Sequence, residues 1–559
     1  APSHSSGNAA CYQHSGSRAR DDMTEFDYII IGAGSAGCVL ANRLSQSGRH
    51  RVLLLEAGPR DWHPWIKIPI GYGFNFFNPK VNWKYQTEKD PNTGDRSAYW
   101  PRGKVIGGSS SINALVYHRG LSHDYDDWAA LGNPGWDWRS VEPVFRSFEQ
   151  WHREDGSVDG DGPLHLCEVT SQMHPLKVPF KQSALEAGLP VTADMNRGDP
   201  EGFGFYQLTT HKGLRCSSAD AFLSPARRRH NLKIQTHSHA TRLLFQDKRA
   251  CGVEYRHRGQ LRQARTAGEV ILAAGSINSP QLLQLSGVGP VDSLRRQGIE
   301  VLLAQANVGR HLQDHLAVSY HFRTHLPSLN SQLTPWHGKM LAGLNYLLRR
   351  KGPLSRSVNQ GGGFVRSDPG QPRPNLQLYA TPMTYQTSPA GKRPLMRPDP
   401  WDGFLLSFQP SRPTSRGQLF LRSADPDAPP VIQPNYLSTN EDCEEVIAGS
   451  RLLRRWMQTP TISAMIQAAN GPDLRLMDDE QALNDFKARC GTVFHPTSTC
   501  RMGPSADSAV VDKDLKVHGL QGLRVVDASI FPSVTSGNTN APAIMVGHKG
   551  AEAILADAR

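Results

Sequence analysis

The 559-residue sequence predicts an α/β fold, α+β overall, with a discontinuous Rossmann-like domain and a second domain that contains an antiparallel sheet. Three observations lead to this prediction. A strand, a glycine-rich turn, a helix and a second strand follow one another near the N-terminus. Two more apolar strands, far apart along the chain, resemble parts of the same sheet. Between them lies a long stretch with many prolines and short alternating runs, such as residues 375–379, which is typical of antiparallel strands.

The N-terminal unit begins with the apolar residues 26–31, a strand-like run that leads directly into the glycines of residues 32–37. A helical pattern continues to about residue 44, and the apolar residues 52–55 form a second predicted strand that ends at Glu56. This order and spacing are the fingerprint of a βαβ unit that binds a dinucleotide.

Each residue type in this fingerprint has a physical task. Gly32 permits the tight turn, Gly34 lets the backbone approach a pyrophosphate, and Gly37 lets the helix pack closely on the strand. The helix N-terminus presents N–H groups to the phosphates, and Glu56 is placed to accept ribose hydroxyls. The fingerprint predicts a bound dinucleotide but does not separate FAD from NAD.

The predicted sheet continues at two distant places along the chain. Residues 269–275 form an apolar strand that leads into a helix around residues 280–283. Residues 523–528 form another strand, which is followed by a polar loop and a final helix. The dinucleotide-binding domain is therefore predicted to be discontinuous, and the sequence shows no internal repeat.

We predict the following division of the chain. The dinucleotide-binding domain consists of residues 24–155, 203–316 and 492–559, the substrate-binding domain of residues 156–202 and 317–491, and residues 1–22 form a tail. The tail has no apolar core of the kind found in signal peptides, and Met23 is a candidate natural start.

Composition limits the possible functions. There are 62 basic and 51 acidic residues, a net charge of +11, with basic clusters at residues 227–229 and 349–351. These clusters fit either a solvated surface or attraction to anionic lipid, and no nucleic-acid motif accompanies them. The eight cysteines include no CxxC pair, so we predict neither a metal site nor a disulfide framework. We therefore expect the protein in a reducing compartment.

Several longer motifs resemble one known family. Residues 103–113 and 275–289 are similar to the two signatures of the glucose–methanol–choline (GMC) oxidoreductases, and residues 495–503 and 537–542 resemble that family's active-site segments. The match runs in the family's order from about residue 25 to the end. It looks closest to choline dehydrogenase-like and medium-chain alcohol dehydrogenase members. The resemblance implies FAD rather than NAD, with the isoalloxazine ring at the domain boundary.

The resemblance also implies which residues contact FAD. They are Gly32, Gly34, Ser35, Ala36, Gly37, Glu56, Ala57, Trp83, Arg102, Gly107, Gly108, Asn113, Ala114, Leu115, Val116, Ala240, Ala274, Gly275, Asp527, Ala528, Asn538, Thr539 and Asn540.

Oxidation of an alcohol needs a hydride acceptor, a base for the hydroxyl proton and a donor that stabilises the alkoxide. The resemblance makes flavin N5 the hydride acceptor and His495 the base. Histidine suits this role because an ordinary imidazole has a pKa near neutral pH. Asn538 aligns with a position that carries Asn or a second His, and its amide is expected to donate to the substrate oxygen. A turn-forming role is the alternative for Asn538. Phe494 is expected to add an apolar wall to the substrate pocket.

The last helix is expected to begin at residues 540–542, with Asn540 as its polar cap and Pro542 in its first turn. By resemblance this N-terminus points at the pyrimidine edge of the flavin, where its dipole stabilises the charge gained on reduction. The glycines at 107 and 108 are expected to bring the backbone close to the flavin.

Two positions depart from well-known family members. Some members attach FAD covalently through a histidine before the Asn of the first signature, but this position is Ile112, so we expect non-covalent FAD. Choline-oxidising relatives carry a glutamate two residues after an Asp-His pair, where this sequence has Ala317. A neutral primary alcohol, aliphatic or aryl, is therefore the expected substrate.

The resemblance favours a quinone as electron acceptor and leaves oxygen open. Alternative functions are an alcohol oxidase, a choline dehydrogenase and a non-redox family member such as a hydroxynitrile lyase. A fatty-acid photoenzyme is disfavoured because His495 is retained. We expect a cytoplasmic protein, with peripheral contact at the inner face of a membrane as a further option.

Overall fold

The computed structural model describes residues 26–198, 200–386 and 397–558. The predicted tail, residues 1–22, and the candidate start at Met23 lie outside the described residues. Within the described part of the chain, no helix is long and apolar enough to cross a membrane.

A seven-stranded mixed sheet contains the predicted βαβ unit. Its parallel strands lie in the order Leu232–Gln235, Val52–Leu55, Phe26–Ile31, Gln260–Leu272 and Leu523–Val525. The long strand Gln260–Leu272 also continues into an antiparallel meander with Arg249–His257 and Ser238–Gln246. The central strands are buried along almost their whole length, which explains why their sequences are continuously apolar rather than alternating.

Two helices pack against each other beside this sheet, Ser35–Ser45 and Asn540–Asp557. Their contact is close because glycine lies at the crossing: a Cβ atom on Gly547 would stand 2.9 Å from the Cα of Ala36. The first helix also approaches the turn before it, since a Cβ atom on Gly37 would lie 1.9 Å from the Gly32 carbonyl oxygen. Gly37 therefore has the packing role that the sequence predicts.

A six-stranded antiparallel sheet forms the second centre of the fold. Its strands lie in the order Gly361–Val365, Leu376–Thr381, Gly403–Pro410, Leu316–Thr324 and Ile466–Ala469, and Gly491–Thr492 also pairs with Leu316–Thr324. The helix Asn440–Met457 packs on this sheet where Gly449 lies against the Phe408 ring. The antiparallel sheet predicted from the alternating runs is thereby confirmed.

Shorter elements connect and flank the two sheets. The remaining strands are Tyr85–Gln86, Tyr99–Trp100, Glu149–His152, Val158–Asp159, Leu164–Cys167, Gly202–Phe205, Thr210–His211, Leu214–Arg215, Val288–Gly289, Leu303–Ala304, Arg310–Leu312, Tyr385–Gln386, Arg397–Pro398, Gly417–Phe420 and Val431–Gln433. The remaining α-helices are Pro64–Lys67, Tyr72–Asn75, Ser122–Ala130, Trp138–Phe148, Lys177–Glu186, Ser224–Ala226, Gly275–Leu285, Val291–Arg296, Leu329–Leu333, Trp336–Arg349, Pro460–Met465 and Asp479–Arg489. A π-helix spans Ala219–Leu223, and 3-10 turns span Pro69–Gly71, Pro91–Thr93, Gly108–Ser111, Thr170–Gln172, Pro353–Ser355, Leu474–Leu476 and Ala528–Ile530.

The helix Gly275–Leu285 begins earlier than the sequence predicts and contains Pro280. A proline inside a helix leaves the carbonyl four residues before it without its usual N–H donor. Here that carbonyl belongs to Ser276, and the Thr499 hydroxyl donates to it at 2.6 Å. The hydroxyl of a residue more than two hundred positions away thus replaces the hydrogen bond that Pro280 cannot donate.

The strands of the two sheets lie within, or within one residue of, the chain segments assigned to the two domains from the sequence. The exact domain division stays a prediction.

We predict that Gly37→Ala destabilises the protein by about 1–3 kcal/mol, because its Cβ atom overlaps the Gly32 carbonyl and forces the helix away from the sheet. Thermal unfolding followed by circular dichroism should show a midpoint several degrees below that of the parent. Gly73→Ala is the matched control, since a Cβ atom there meets nothing within 4 Å. Equal midpoints for the two variants would contradict the packing role.

Candidate active site

One large cavity, of about 820 Å³, lies at the carboxyl edge of the parallel strands. Residues of both sheets line it, for example Ile31 and Leu55 from the first sheet and Ala317 and Ser407 from the second. Ligands of open α/β sheets bind at this edge, and the volume is large for a single small substrate. The cavity can therefore hold a cofactor and a substrate together.

Backbone close to backbone shapes one end of the cavity. Gly32 has a left-handed φ of 102°, and a Cβ atom there would lie 2.5 Å from the Ala273 carbonyl oxygen. Gly108 has φ 54°, and its Cβ atom would lie 2.7 Å from the Cα of Gly34. Side chains at these positions would collide with neighbouring backbone, so glycine is needed for the close approach of these segments, and the resulting turn fits the dinucleotide expected from the sequence.

Glu56 lies at this same end of the cavity. Its carboxylate accepts hydrogen bonds from the backbone N–H groups of Ala33, at 3.0 Å, and Gly58, at 2.9 Å. Burial raises the pKa of Glu56 to about 7 despite these bonds. A carboxyl group held in this way, with lone pairs left on both oxygens, suits ribose hydroxyls.

Two helix N-termini meet at the cavity. The Ser35 hydroxyl donates to Asn540 Oδ1 at 2.7 Å and joins the start of the helix Ser35–Ser45 to that of Asn540–Asp557. The predicted cap at Asn540 is wrong in detail: Asn540 is the first helical residue, Thr539 precedes the helix, and no side chain caps it. The first N–H groups of both helices have no partner within their own helix, so both ends favour negative charge in the cavity.

His495 and Asn538 come together at the other end of the cavity. Asn538 Nδ2 lies 3.2 Å from His495 Nε2, and His495 Nδ1 lies 3.0 Å from His315 Nδ1. His315 Nε2 in turn lies 2.9 Å from the carbonyl oxygen of Ser411. The three side chains and the carbonyl form one continuous chain of hydrogen bonds.

The carbonyl at the end of this chain determines where the protons are. Because a carbonyl only accepts, His315 carries its proton on Nε2 and leaves Nδ1 as an acceptor. His495 therefore carries its proton on Nδ1 and donates it to His315. Its Nε2 atom keeps a lone pair, which here accepts from the Asn538 amide. The geometry thus presents an unprotonated imidazole nitrogen to the cavity.

Electrostatics keep this pair of imidazoles neutral. Burial, the neighbouring His315 and the Arg102 guanidinium hold the pKa of His495 well below its usual range. Burial also lowers the pKa of His315 to about 4. The Asp314 carboxylate fixes the backbone instead of the ring, since it accepts the His495 N–H at 2.7 Å.

Phe494 has a left-handed φ of 70°, a strained conformation for an aromatic residue. Its N–H donates to the Thr492 hydroxyl, and its carbonyl accepts from Arg102 Nη2 at 2.7 Å. The strained backbone turns the ring toward Phe76, with ring centroids 5.3 Å apart. Phe494 thereby forms part of an aromatic wall of the cavity.

Most residues predicted for the cofactor or the reaction line this cavity. They are Gly32, Gly34, Ser35, Ala36, Glu56, Ala57, Trp83, Arg102, Gly108, Asn113, Ala114, Leu115, Val116, Ala240, Ala274, Gly275, Phe494, His495, Asp527, Ala528, Asn538, Thr539 and Asn540. Gly37 and Gly107 do not line it and support its wall from behind: Gly37 packs on Gly32, and the Gly107 N–H donates to the Ala33 carbonyl at 2.7 Å.

Sequence reasoning missed two groups of residues. His315 belongs to the Asp-His pair that precedes Ala317, and the sequence does not indicate a role for it. Its contact with His495 joins residues 180 positions apart. Aromatic and polar residues of the cavity's far end were also missed because nothing local marks them; they include Tyr72, Phe76, His321, Tyr379 and Tyr385.

The unpartnered polar atoms of this site fit FAD and an alcohol. Asn538 Oδ1 is buried and has no hydrogen-bond partner. Arg102 donates to the carbonyls of Pro101 and Phe494 but has no carboxylate within ion-pair distance among the described residues. Donors and acceptors buried in this way need a ligand to pair with.

Comparison with known proteins gives one family throughout. The sequence models of the GMC oxidoreductases match residues 26–317 and 413–547. An alcohol dehydrogenase (acceptor) of Pseudomonas putida is 42% identical over 535 residues, 95% of this chain and 96% of the relative. An oxygen-dependent choline dehydrogenase of Vibrio vulnificus is 39% identical over 536 residues, 95% of this chain and 94% of the relative.

Among solved structures, pyridoxine 4-oxidase from Mesorbium loti is similar to the chain with a TM-score of 0.82 and 28% identity. The match covers 94% of this chain and 99% of that protein.

We predict that Gly108→Ala loses most of its bound flavin, because the new Cβ atom would lie 2.7 Å from the Cα of Gly34 and would displace the glycine turn that lines the cavity. Flavin per chain is measured from the visible absorbance of the purified protein. Gly259→Ala is the matched control: its φ of 86° imposes similar strain, but a Cβ atom there meets nothing within 4 Å. Full flavin content in Gly108→Ala would contradict this role of the glycine turn.

Proposed function

Because the chain belongs to the GMC oxidoreductase family, we propose that it oxidises a neutral primary alcohol, aliphatic or aryl, to the aldehyde, with His495 as the base. The expectations of an FAD-dependent oxidoreductase that acts on CH–OH groups are confirmed at this level. The single observation that supports His495 as the base is the hydrogen-bond chain to the Ser411 carbonyl, which assigns the lone pair of His495 to the Nε2 atom beside Asn538 in the cavity.

The residues act on an alcohol as follows. The hydroxyl group takes the place of the contact between His495 and Asn538, so that it donates to His495 Nε2 and accepts from Asn538 Nδ2. As the proton moves to Nε2, the Nδ1–H group of His495 stays bonded to His315 and orients the ring. FAD, when bound, supplies the hydride acceptor.

Charge in the cavity supports a neutral substrate. The acidic residues that line it are Glu56 and Asp527, and Asp527 is occupied by the Gly275 N–H and the Ser279 hydroxyl, at 2.8 Å and 2.6 Å. The lining includes no other described carboxylate, and the Arg489 guanidinium, which donates to the Ser319 carbonyl, is already paired with Asp485 at 2.6 Å. A quaternary ammonium group would lose its hydration without gaining a counter-charge.

We propose a quinone as the electron acceptor and oxygen as the alternative. The Pseudomonas putida relative is named for an unspecified acceptor and the Vibrio vulnificus relative for oxygen. The basic surface supports peripheral contact with the inner face of a membrane. The seven described cysteines, which are all free, support a cytoplasmic location.

We predict that acid or heat releases intact FAD from the protein. The motive is Ile112, which lines the cavity at the position where a covalent link would form and has no nucleophile. After precipitation and centrifugation, flavin absorbance should be found in the supernatant. Flavin that sediments with the polypeptide would contradict non-covalent binding.

His495→Ala is predicted to lower the rate constant of flavin reduction by at least about 10²-fold while FAD stays bound. In the parent, this rate constant should not fall as the pH is lowered through about 6.5, the pKa of an ordinary imidazole, because the pKa of His495 is well below that value and the base becomes protonated only at lower pH. Anaerobic stopped-flow mixing with an alcohol measures the rate constant of the variant and its pH dependence in the parent. Reduction of His495→Ala at the parent rate would exclude this base, and the absence of flavin bleaching by any alcohol would favour a lyase.

Hexanol and benzyl alcohol are predicted to have a much higher kcat/KM than choline. Aromatic rings in the cavity offer cation–π contacts of about 0.5–2 kcal/mol each, which do not replace a carboxylate. Ala317→Glu should raise the kcat/KM for choline relative to that for hexanol. Ala317→Gln is the uncharged control and should not raise this ratio in the same way. If the parent prefers choline, the proposal of a neutral substrate is wrong.

A further inference from the structure

The helix Trp336–Arg349 turns its apolar side toward the solvent. Only Ala342 and Tyr346 of this helix are buried. Six large apolar side chains on its other faces are between 52% and 75% exposed: Trp336, Met340, Leu341, Leu344, Leu347 and Leu348. We call these six residues the apolar face.

Such an arrangement is unusual for a surface helix, which normally buries its apolar stripe against the core. The other strongly exposed large apolar residues of the described chain are scattered over many elements, as single exposed residues usually are. A contiguous exposed apolar surface of this kind marks contact with another body.

Charge indicates what that body is. Arg349, Arg350 and Lys351 follow the apolar face directly and are exposed, as is Lys339 within the helix. The sequence has no acidic residue between residues 329 and 351. An apolar face with tryptophan and leucine, followed along the chain by basic side chains, complements an anionic lipid surface, where the apolar groups enter the acyl boundary and the cations meet the headgroups.

The helix also lies beside the substrate end of the cavity. The turn Pro353–Ser355, which follows it, contacts the turn Pro69–Gly71. Tyr72 and Phe76 come directly after that second turn and line the cavity, as does Val358. A membrane at the apolar face would therefore lie close to the segment that supplies Tyr72 and Phe76 to the cavity wall.

We propose that the apolar face and its basic border dock the enzyme on an anionic bilayer. Only the purpose of docking, access to an apolar alcohol or a quinone, rests on the proposed function. Docking itself needs neither substrate nor turnover.

The test is co-sedimentation of the FAD-loaded protein with vesicles of phosphatidylcholine and phosphatidylglycerol, and with phosphatidylcholine alone. Leu344→Ser/Leu347→Ser/Leu348→Ser should lower the partition coefficient at least about tenfold. Leu261→Ser/Leu476→Ser, two exposed leucines elsewhere, should leave it unchanged. Arg349→Glu/Lys351→Glu should weaken binding to the anionic vesicles, and Arg227→Glu/Arg228→Glu is the charge-matched control.

Equal binding of the triple variant and the parent, or no binding by the parent, would overturn the proposal. Loss of a dimer in the triple variant, with no vesicle binding by the parent, would assign the face to a second copy of the chain instead. Alcohol oxidation with a soluble dye as acceptor is measured in parallel and should be unchanged in all variants. A variant that oxidises alcohol normally but does not bind vesicles has lost docking only, whereas a parent that does not oxidise alcohol contradicts the proposed function and not the docking.

An independent cluster of three histidines lies outside the active-site cavity, on the strands Glu149–His152, Leu164–Cys167 and Thr210–His211. His152 Nε2 lies 2.8 Å from His165 Nδ1, and the rings of His165 and His211 stack with centroids 3.9 Å apart. One ring nitrogen from each of the three lies within 4.8 Å of the others. Glu149–His152 pairs with Leu164–Cys167, and Thr210–His211 packs against the latter, so the fold brings together imidazoles from distant parts of the sequence.

We also infer that this cluster binds a divalent first-row transition metal such as Zn²⁺, although the sequence predicts no metal site. The three partly exposed imidazoles can each turn one nitrogen toward a tetrahedral ion whose fourth ligand is water, and metal binding then replaces the contact between His152 and His165. The exposed Lys212 ammonium opposes a cation here and limits its affinity.

Equilibrium dialysis of the full chain against Zn²⁺ tests this site. The parent should bind one more Zn²⁺ than His165→Gln, whereas His230→Gln, at an exposed histidine elsewhere, should match the parent. Lys212→Asn should tighten binding about threefold or more by removing the nearby charge, and asparagine tolerates the φ of 49° at this position. Equal stoichiometry in the parent and His165→Gln would overturn the inference.

Discussion

One backbone carbonyl, that of Ser411, determines the chemistry of the site. It accepts from His315, which makes His315 the acceptor for His495 and leaves the lone pair of His495 facing the cavity. Ser411 comes directly after the strand Gly403–Pro410, so the antiparallel sheet determines the position of the carbonyl. The proposed base is thus oriented by the antiparallel sheet, although His495 itself lies in the C-terminal segment that returns to the parallel sheet.

The two halves of the fold are tied together around this point. The segment that contains His495 also supplies Thr499, which satisfies the carbonyl freed by Pro280, and Asp314 holds the His495 backbone. On the other side of the cavity, the close backbone approaches at Gly32 and Gly108 leave space for a dinucleotide. Because both ends depend on contacts between distant segments, the site exists only in the folded chain.

Local patterns in the sequence were sufficient to predict the βαβ unit, its glycines and Glu56, since strand burial and turn geometry depend on neighbouring residues. The family resemblance added His495, Asn538 and most of the cavity lining. It did not reveal the partnership of His315 with His495, which spans 180 positions. The outward-facing helix Trp336–Arg349 was equally hidden, because an apolar period predicts a helix but not the direction in which it faces. The cap at Asn540 was misplaced because Ser35, a tertiary neighbour, engages its side chain.

The arrangement of protons along this chain is the central claim, and neutron diffraction from deuterium-exchanged crystals near neutral pD tests it most directly. We expect deuterium on His495 Nδ1 and on His315 Nε2, and none on His495 Nε2 or His315 Nδ1. Deuterium on His495 Nε2, in the substrate-free enzyme, would contradict the account, because the nitrogen that faces Asn538 would then be unable to accept the proton of an alcohol.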